Sequence, residues 1–374
     1  MVGGGSGSLI GPVHRMAATI DGQAEIVAGV FSSDPEKSKR FGEELYLDPS
    51  RVYADYQEMA EKEAALPPDH RVDFVSIATP NVYHFDIARA FLKAGFSVIC
   101  DKPMTCSLAE AKELKSIVAK SGKIFALTHT YTGYPMVKHA RHIIRQGMLG
   151  KINKIVVDYP QGWLARLLES GDESIRNWRL DPQKSGISCC TADIGTHAEN
   201  LVRYITGLEI EELCADLSCF VPGSLLDDDG CILIHYKEGA RGIINVSQIS
   251  TGEGCLNIRI SGTKLSLSWH QEKPNDLICK DIEGCTTTYS KGSPVVGSEA
   301  RSASRLPLGH TEGFIEAFAN IYLETFKAIR AQLKDQPVPV CDYPTVDDGV
   351  IGMAFIETVV ASAASNKKWT KMLQ

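Results

Sequence analysis

At 374 residues the chain is long enough for two domains, each with its own core. Its 44% hydrophobic and 23% charged content is that of an ordinary globular protein, and a net charge of −7 excludes a nucleic-acid or anionic-membrane surface as the main partner. The 11 cysteines are scattered, with no Cys-x-x-Cys pair, and no apolar run reaches membrane length; both features predict a cytoplasmic protein with reduced thiols.

The chain opens on Gly3-Gly4-Gly5-Ser6-Gly7-Ser8-Leu9-Ile10-Gly11, followed by Pro12. A glycine-rich turn between a strand and a helix lets backbone amides approach a pyrophosphate at the helix N-terminus. Gly5, Ser6, Gly7, Leu9 and Ile10 are the candidate contacts, and Pro12 suits the first helical position. The last glycine interval is one residue longer than Gly-x-Gly-x-x-Gly, and only Met1 and Val2 are available for the strand before it. The same composition also suits a flexible tail. The following segments favour the phosphate loop.

Glu25–Phe31 reads as a strand, and Asp34-Pro35 opens a helix with Asp34 as its cap. Phe74–Ala78, Val98–Cys100 and Ile124–Leu127 are further apolar strands. Helical patterns run over about 35–45, 84–94 and 108–120. Strands alternating with helices at this spacing predict a doubly wound parallel sheet of the Rossmann type, with the glycine loop at its first turn. After the second strand stand Ser32 and Ser33, with Lys37 nearby, where an acid often holds the ribose. These residues leave NADP open. With no arginine directly after the strand, NAD is the expected cofactor.

The third strand runs into Asp101-Lys102-Pro103. Ligands in open parallel sheets sit just beyond the carboxyl ends of the strands, so Lys102 is placed to reach a bound hydroxyl. Thr79, Pro80, Asn81 and His84 leave the same sheet edge. A solvated lysine in a turn, and a turn closed by an Asn81 cap, are the plainer readings of each segment alone.

The character changes after Leu127, which puts the boundary between a dinucleotide-binding domain over 1–128 and a second α/β domain over 129–374. Tyr131 lies in a polar, aromatic crossover; Gln161 and Trp163 follow the strand over 151–159; Trp178 and Arg179 lie in a long irregular stretch. Aromatic loops with polar tips suit a sugar, although a surface loop pinned by one buried Trp163 fits as well. Asp193 and His197 are one helical turn apart, so they share a face and suit a proton-transfer pair. A helix cap and a core histidine are the plainer alternative. Strand-like runs over 213–289 predict a large, mostly antiparallel open sheet whose outer face suits a second copy of the chain. His310 precedes a helix expected from Gly309 onward, placed either in a cleft or in solvent.

The glycine loop, Thr79-Pro80-Asn81, Asp101-Lys102-Pro103 and Asp193-Ile194-Gly195-Thr196-His197 together resemble the Gfo/Idh/MocA oxidoreductases, the glucose–fructose oxidoreductase and inositol dehydrogenase group. The family's lysine motif usually begins with Glu, where this chain has Asp101. The resemblance implies a homo-oligomeric NAD(P)-dependent dehydrogenase of a sugar, glycoside or cyclitol, including oxidation at C3 of a glycoside. Lys102 would polarise the reacting hydroxyl, His197 would be the acid/base, and Asp193 would orient both substrate and His197. Asp101 would lie at the cofactor, Trp178 and Arg179 would close near the nicotinamide, and Lys102–Pro103 is a candidate cis bond. No metal is expected, since no ligand cluster has metal spacing. A non-catalytic dinucleotide-binding regulator on the same fold is the competing reading, as is an inositol dehydrogenase.

Overall fold

The computed structural model describes residues 1–171, 178–252 and 254–374. They form two compact units: 1–130 with 318–350, and 131–317 with 351–374. The first crossing lies beside the boundary expected near 128, but 318–350 return to the first unit.

In the first unit β1 (Val2–Gly3), β2 (Phe74–Ala78), β3 (Ser97–Cys100) and β4 (Phe125–Leu127) form a parallel sheet in that order. Val75, Ile77, Val98, Ile99, Cys100 and Ala126 are all buried. That is why these strands read as unbroken apolar runs and not as alternating ones: helices cover both faces of a parallel sheet. Asp34 caps the helix Pro35–Glu44 through the amides of Glu36 and Lys37, as expected. Ser107 caps Leu108–Ser121 in the same way.

Three expectations are corrected. Glu25–Phe31 is not a strand; it is reduced to bridges at Gly29 and Val30, because β1 offers only two residues to pair with. The first helix starts at Ile10, so Pro12 is its third residue, still within the turn whose amides lack helical partners. A helix at Tyr56–Ala65, capped by Asp55, escaped the sequence reading because its buried side is only Met59, Ala60 and Glu63.

The second unit carries a nine-stranded sheet among its described residues: β5 (Ile152–Pro160), β6 (Ile210–Ser218), β7 (Asp229–Tyr236), β8 (Arg241–Ser247), β9 (Asn257–Gly262), β10 (Leu265–His270), β11 (Asp276–Asp281), β12 (Thr286–Ser290) and β13 (Thr370–Lys371). The order is β12-β11-β10-β9-β5-β8-β7-β6-β13. Only β5 against β8 is parallel, so the sheet is mixed and mostly antiparallel. One face is apolar and buried: Ile232, Ile234, Ile244, Val246, Ile258, Ile260, Leu267 and Trp269. The other leaves Leu233 and Ile278 exposed. The helix expected from Gly309 starts at Phe314, because Glu316 accepts the Gly313 amide and fixes the first turn there.

Candidate active site

The first unit supplies a glycine loop and a lysine. Gly5 and Gly11 allow the loop to close: a Cβ on Gly5 would stand 2.3 Å from the Phe31 carbonyl oxygen, and one on Gly11 would stand 2.3 Å from that of Gly4. The stretched glycine interval is thus explained. Gly11 lies inside the helix and packs back onto Gly4. Ser6 and Gly7 are exposed at the tip, Ile10 is half-buried, and Leu9 stands out in solvent. The Phe31 contact brings the Ser32–Ser33 turn beside this loop. Ser32 accepts the Asp34 amide, the Asp34 carboxylate is taken by the helix cap, and Ser33 and Lys37 are exposed.

These residues fit a dinucleotide. Thr79 stands against the loop, its methyl 2.7 Å from where a Gly3 side chain would be. Its hydroxyl is buried with no hydrogen-bond partner among the described residues, which leaves a polar group available to a ligand. Asn81 is buried in the same turn.

Lys102 follows β3 and is half-buried, and its bond to Pro103 is cis. His84, fully buried, links the two loops: Nδ1 lies 2.8 Å from the Pro103 carbonyl and Nε2 2.9 Å from that of Thr79. Burial lowers the His84 pKa, outweighing the nearby Asp101 charge and the two carbonyls. It works here as a strap between loops. Asp101 accepts the Thr128 hydroxyl at 2.8 Å, and His14 Nε2 is 3.9 Å away. Burial would raise the Asp101 pKa, but His14 and the Lys102 ammonium outweigh it and hold the carboxyl below its usual range. Asp101 is thus a partly buried carboxylate next to the lysine in the chain. A cleft of about 710 Å³ is lined by Met1, His14, Phe74 and Tyr322, and Lys102 is not among its lining residues.

The second unit supplies an acid and an imidazole. Thr191–Gly195 is a π-turn that runs into the helix Thr196–Thr206, with the Thr196 amide on the Thr191 carbonyl. The buried Asp227 accepts the amides of Cys189 and Thr191 and the Thr191 hydroxyl, at 2.8–2.9 Å. That clasp fixes where the turn begins. Asp193 Oδ2 accepts Gln248 Nε2 at 2.9 Å, and Oδ1 lies 3.5 Å from Arg179 Nε. Arg179 in turn covers the Trp178 ring at 4.7 Å.

His197 is buried, its ring perpendicular to Tyr131 at 4.9 Å. The Tyr131 hydroxyl bonds that of Tyr159 and donates to Gln271 at 3.2 Å. Burial keeps both phenols protonated, with the Tyr159 pKa pushed up to about 12. Gln161 bonds Tyr159, so it belongs to the same polar cluster. Trp163 instead packs on Leu164, Leu167, Leu180 and Val221, and His310 is exposed on a turn.

The sequence reading missed Gln248, Asp227 and Tyr159. Gln248 left a signal: it continues the buried face of Gly242, Ile244 and Val246 at period two, where an amide is out of place. Asp227 left none, because Asp227-Asp228-Asp229 reads as a solvated turn.

Residues 1–129 match the model of the oxidoreductase family with an NAD-binding Rossmann fold, and residues 137–268 match the GFO/IDH/MocA C-terminal domain. The chain is 36% identical over 379 residues to the uncharacterized oxidoreductase YfiI of Bacillus subtilis, covering 99% of this chain and 95% of that one. It is similar to the crystal structure of an inositol dehydrogenase homolog from Azotobacter vinelandii complexed with NADH and myo-inositol, at 33% identity and a TM-score of 0.92, covering 99% of this chain and 96% of the other. It is also 25% identical to levoglucosan dehydrogenase of Pseudarthrobacter phenanthrenivorans, over 82% of this chain and 81% of that one.

Proposed function

This chain belongs to the GFO/IDH/MocA oxidoreductases, and we propose that it oxidises a secondary alcohol on the ring of a sugar, glycoside or cyclitol with NAD. The observation that carries the reading is that the helix carrying the buried His197 follows directly on the turn that holds Asp193, a turn clasped by Asp227. An imidazole beside a carboxylate is the group to expect where a hydroxyl proton must leave and return near neutral pH. In this reading His197 takes the hydroxyl proton, and Asp193 orients the substrate and the imidazole. The Lys102 ammonium stabilises the alkoxide charge that develops on the same oxygen. The nicotinamide, when bound, accepts the hydride from the carbinol carbon. Gly5, Gly7 and Thr79 hold the dinucleotide, with the Asp101 carboxylate beside the lysine.

The buried phenols Tyr131 and Tyr159, with Gln161, favour a polyol ring. We place oxidation at C3 of a glycoside as the first substrate reading. A myo-inositol-type cyclitol is the second, and the likeness to the inositol dehydrogenase homolog favours it. The exposed Leu233 and Ile278 on the open sheet support a homo-oligomer formed through that face. No helix among the described residues is long and apolar enough to cross a membrane, and the 11 cysteines are all free, which supports a cytoplasmic enzyme.

The test is a screen of glucosides, free sugars and inositols with NAD and with NADP, following reduced nicotinamide. Turnover of a ring polyol with NAD is expected. Activity on myo-inositol with none on glucosides removes the glycoside reading, and no turnover of any member with either cofactor removes the proposal.

A further inference from the structure

We propose that Gln248 is a positioning residue for the reaction: it sets the orientation and ionisation of the Asp193 carboxylate, and Cys189 sets the direction of the Gln248 amide. The proposal rests on the roles given above to Asp193 and His197.

Gln248 is fully buried immediately after β8. Its backbone is pinned on both sides: its amide donates to the Asp228 carbonyl at 2.8 Å, and its carbonyl accepts the Leu164 amide at 3.0 Å. The side chain therefore starts from a fixed point. Its two polar atoms have different partners. Nε2 donates to Asp193 Oδ2 at 2.9 Å, while Oε1 accepts the Cys189 thiol at 3.2 Å.

The thiol makes this arrangement one-directional. A buried thiol is a donor as long as it keeps its proton, and burial, reinforced by the charges of Asp193 and Asp227, pushes the Cys189 pKa far above its ordinary value. With the thiol proton on Oε1, the amide presents its NH₂ to Asp193. The flipped amide would set oxygen against carboxylate oxygen and nitrogen against a thiol. Cys189 is also one of the residues whose amide Asp227 accepts, so the orienting thiol and the Asp193 turn are placed by the same clasp.

The chemical consequence is a neutral donor on Oδ2 and a cation near Oδ1, both of which favour the ionised acid. Among the described residues the titratable groups that face Asp193 include Arg179 from the turn Trp178–Leu180, the phenols Tyr131 and Tyr159, the thiols Cys189 and Cys190 and, in the reading above, the His197 imidazole. Burial keeps the phenols and thiols protonated, and Arg179 is the cation beside Oδ1. A carboxyl in place of the Gln248 amide puts two acids within hydrogen-bond distance. They then share a proton, since like charges so close do not both ionise.

The experiment measures kcat and KM against pH with NAD and either myo-inositol or methyl α-D-glucoside, for Q248E, Q248L, C189A, C189S and H197A, alongside thermal melting. In Q248E the acid limb of kcat/KM is expected to move up by about one pH unit. In Q248L kcat should fall about tenfold to a hundredfold with KM nearly unchanged, as expected when a reacting group loses its alignment. C189A should show a smaller loss of the same kind, and C189S, which keeps a donor, should restore it. A folded Q248E whose acid limb matches the native profile overturns the proposal. So does a C189A protein with native kcat and KM, which covers the case in which the Gln248 variants do not fold. H197A separates the two levels: if it turns over at the native rate, the assignment of the acid/base is wrong; if it is inactive while Q248E and C189A behave as native, only the role of Gln248 falls.

Discussion

In the reaction proposed above, the two units prepare their shares of the chemistry in opposite ways. The first works through the backbone of contiguous segments. A glycine loop closes because Gly5 and Gly11 have no side chains, and Lys102 stands where β3 ends. The second works through side chains gathered from distant parts of the chain. Asp193 is held by Gln248 and Arg179, its turn by Asp227, and His197 lies against Tyr131, which bonds Tyr159 and Gln271. A dinucleotide phosphate is the same in every such enzyme and needs only amides at a strand end. A particular ring of hydroxyls needs a particular set of side chains, and those are free to come from anywhere in the fold.

The sharpest way to break this contrast is to remove one proposed reacting group from each unit. His197→Ala should lower kcat by about 10²–10⁴, the range for a lost general acid–base. Lys102→Ala should lower it by about 10²–10³, the range for a lost oxyanion-stabilising donor. Fluorescence titration should show NADH still bound in both. Loss of NADH binding in His197→Ala would erase the division of labour.

The next effect is on stability. Asp227→Ala strands the amides of Cys189 and Thr191 and the Thr191 hydroxyl, so unfolding should become easier by about 1–3 kcal/mol, with kcat falling and NADH affinity intact. Gly11→Ala is the counterpart in the first unit. The 2.3 Å approach to Gly4 forces the loop apart at a cost of about 1–3 kcal/mol, and NADH affinity, read by titration, should fall. If the two variants gave the same phenotype, the contrast would be lost.

These differences account for what could be read in advance. The placement of Lys102, Thr79 and the glycines was legible because strand ends and turns are written in neighbouring residues. The parallel sheet was legible because buried strands such as Phe74–Ala78 are apolar on both faces. The strand expected at Glu25–Phe31 was overcalled because pairing depends on β1, a partner elsewhere in the chain. Gln248 was visible only as an amide on an apolar face. Asp227 was invisible, since nothing local separates a clasping acid from a solvated one. Trp163 was ambiguous because a tryptophan that anchors a loop and one that stacks on a sugar have the same neighbours in sequence; it packs against the apolar cluster that includes Leu164, Leu167 and Val221.

The smallest expected effect is on acid sensitivity. In the second unit His139 accepts the Gly297 amide and packs on Tyr289; burial, then the neighbouring His142, lowers its pKa from 6.5 to about 4. It stays neutral when folded, while the unfolded chain takes up a proton below about pH 6.5. Its contribution to stability is therefore present above that pH and is lost as the pH falls toward about 4. His139→Gln should flatten that part of the melting-temperature profile, as read by calorimetry; an unchanged slope would mean that other groups set the acid limit.

The most direct measurement is a double-mutant cycle on Lys102→Ala and His197→Ala, using single-turnover hydride transfer in protein saturated with NAD. Groups that serve one alcohol oxygen in one step are strongly non-additive. The double variant should therefore be little slower than the slower single one. Losses that multiply in full would show two side chains acting on separate events, and the shared-hydroxyl account would be wrong.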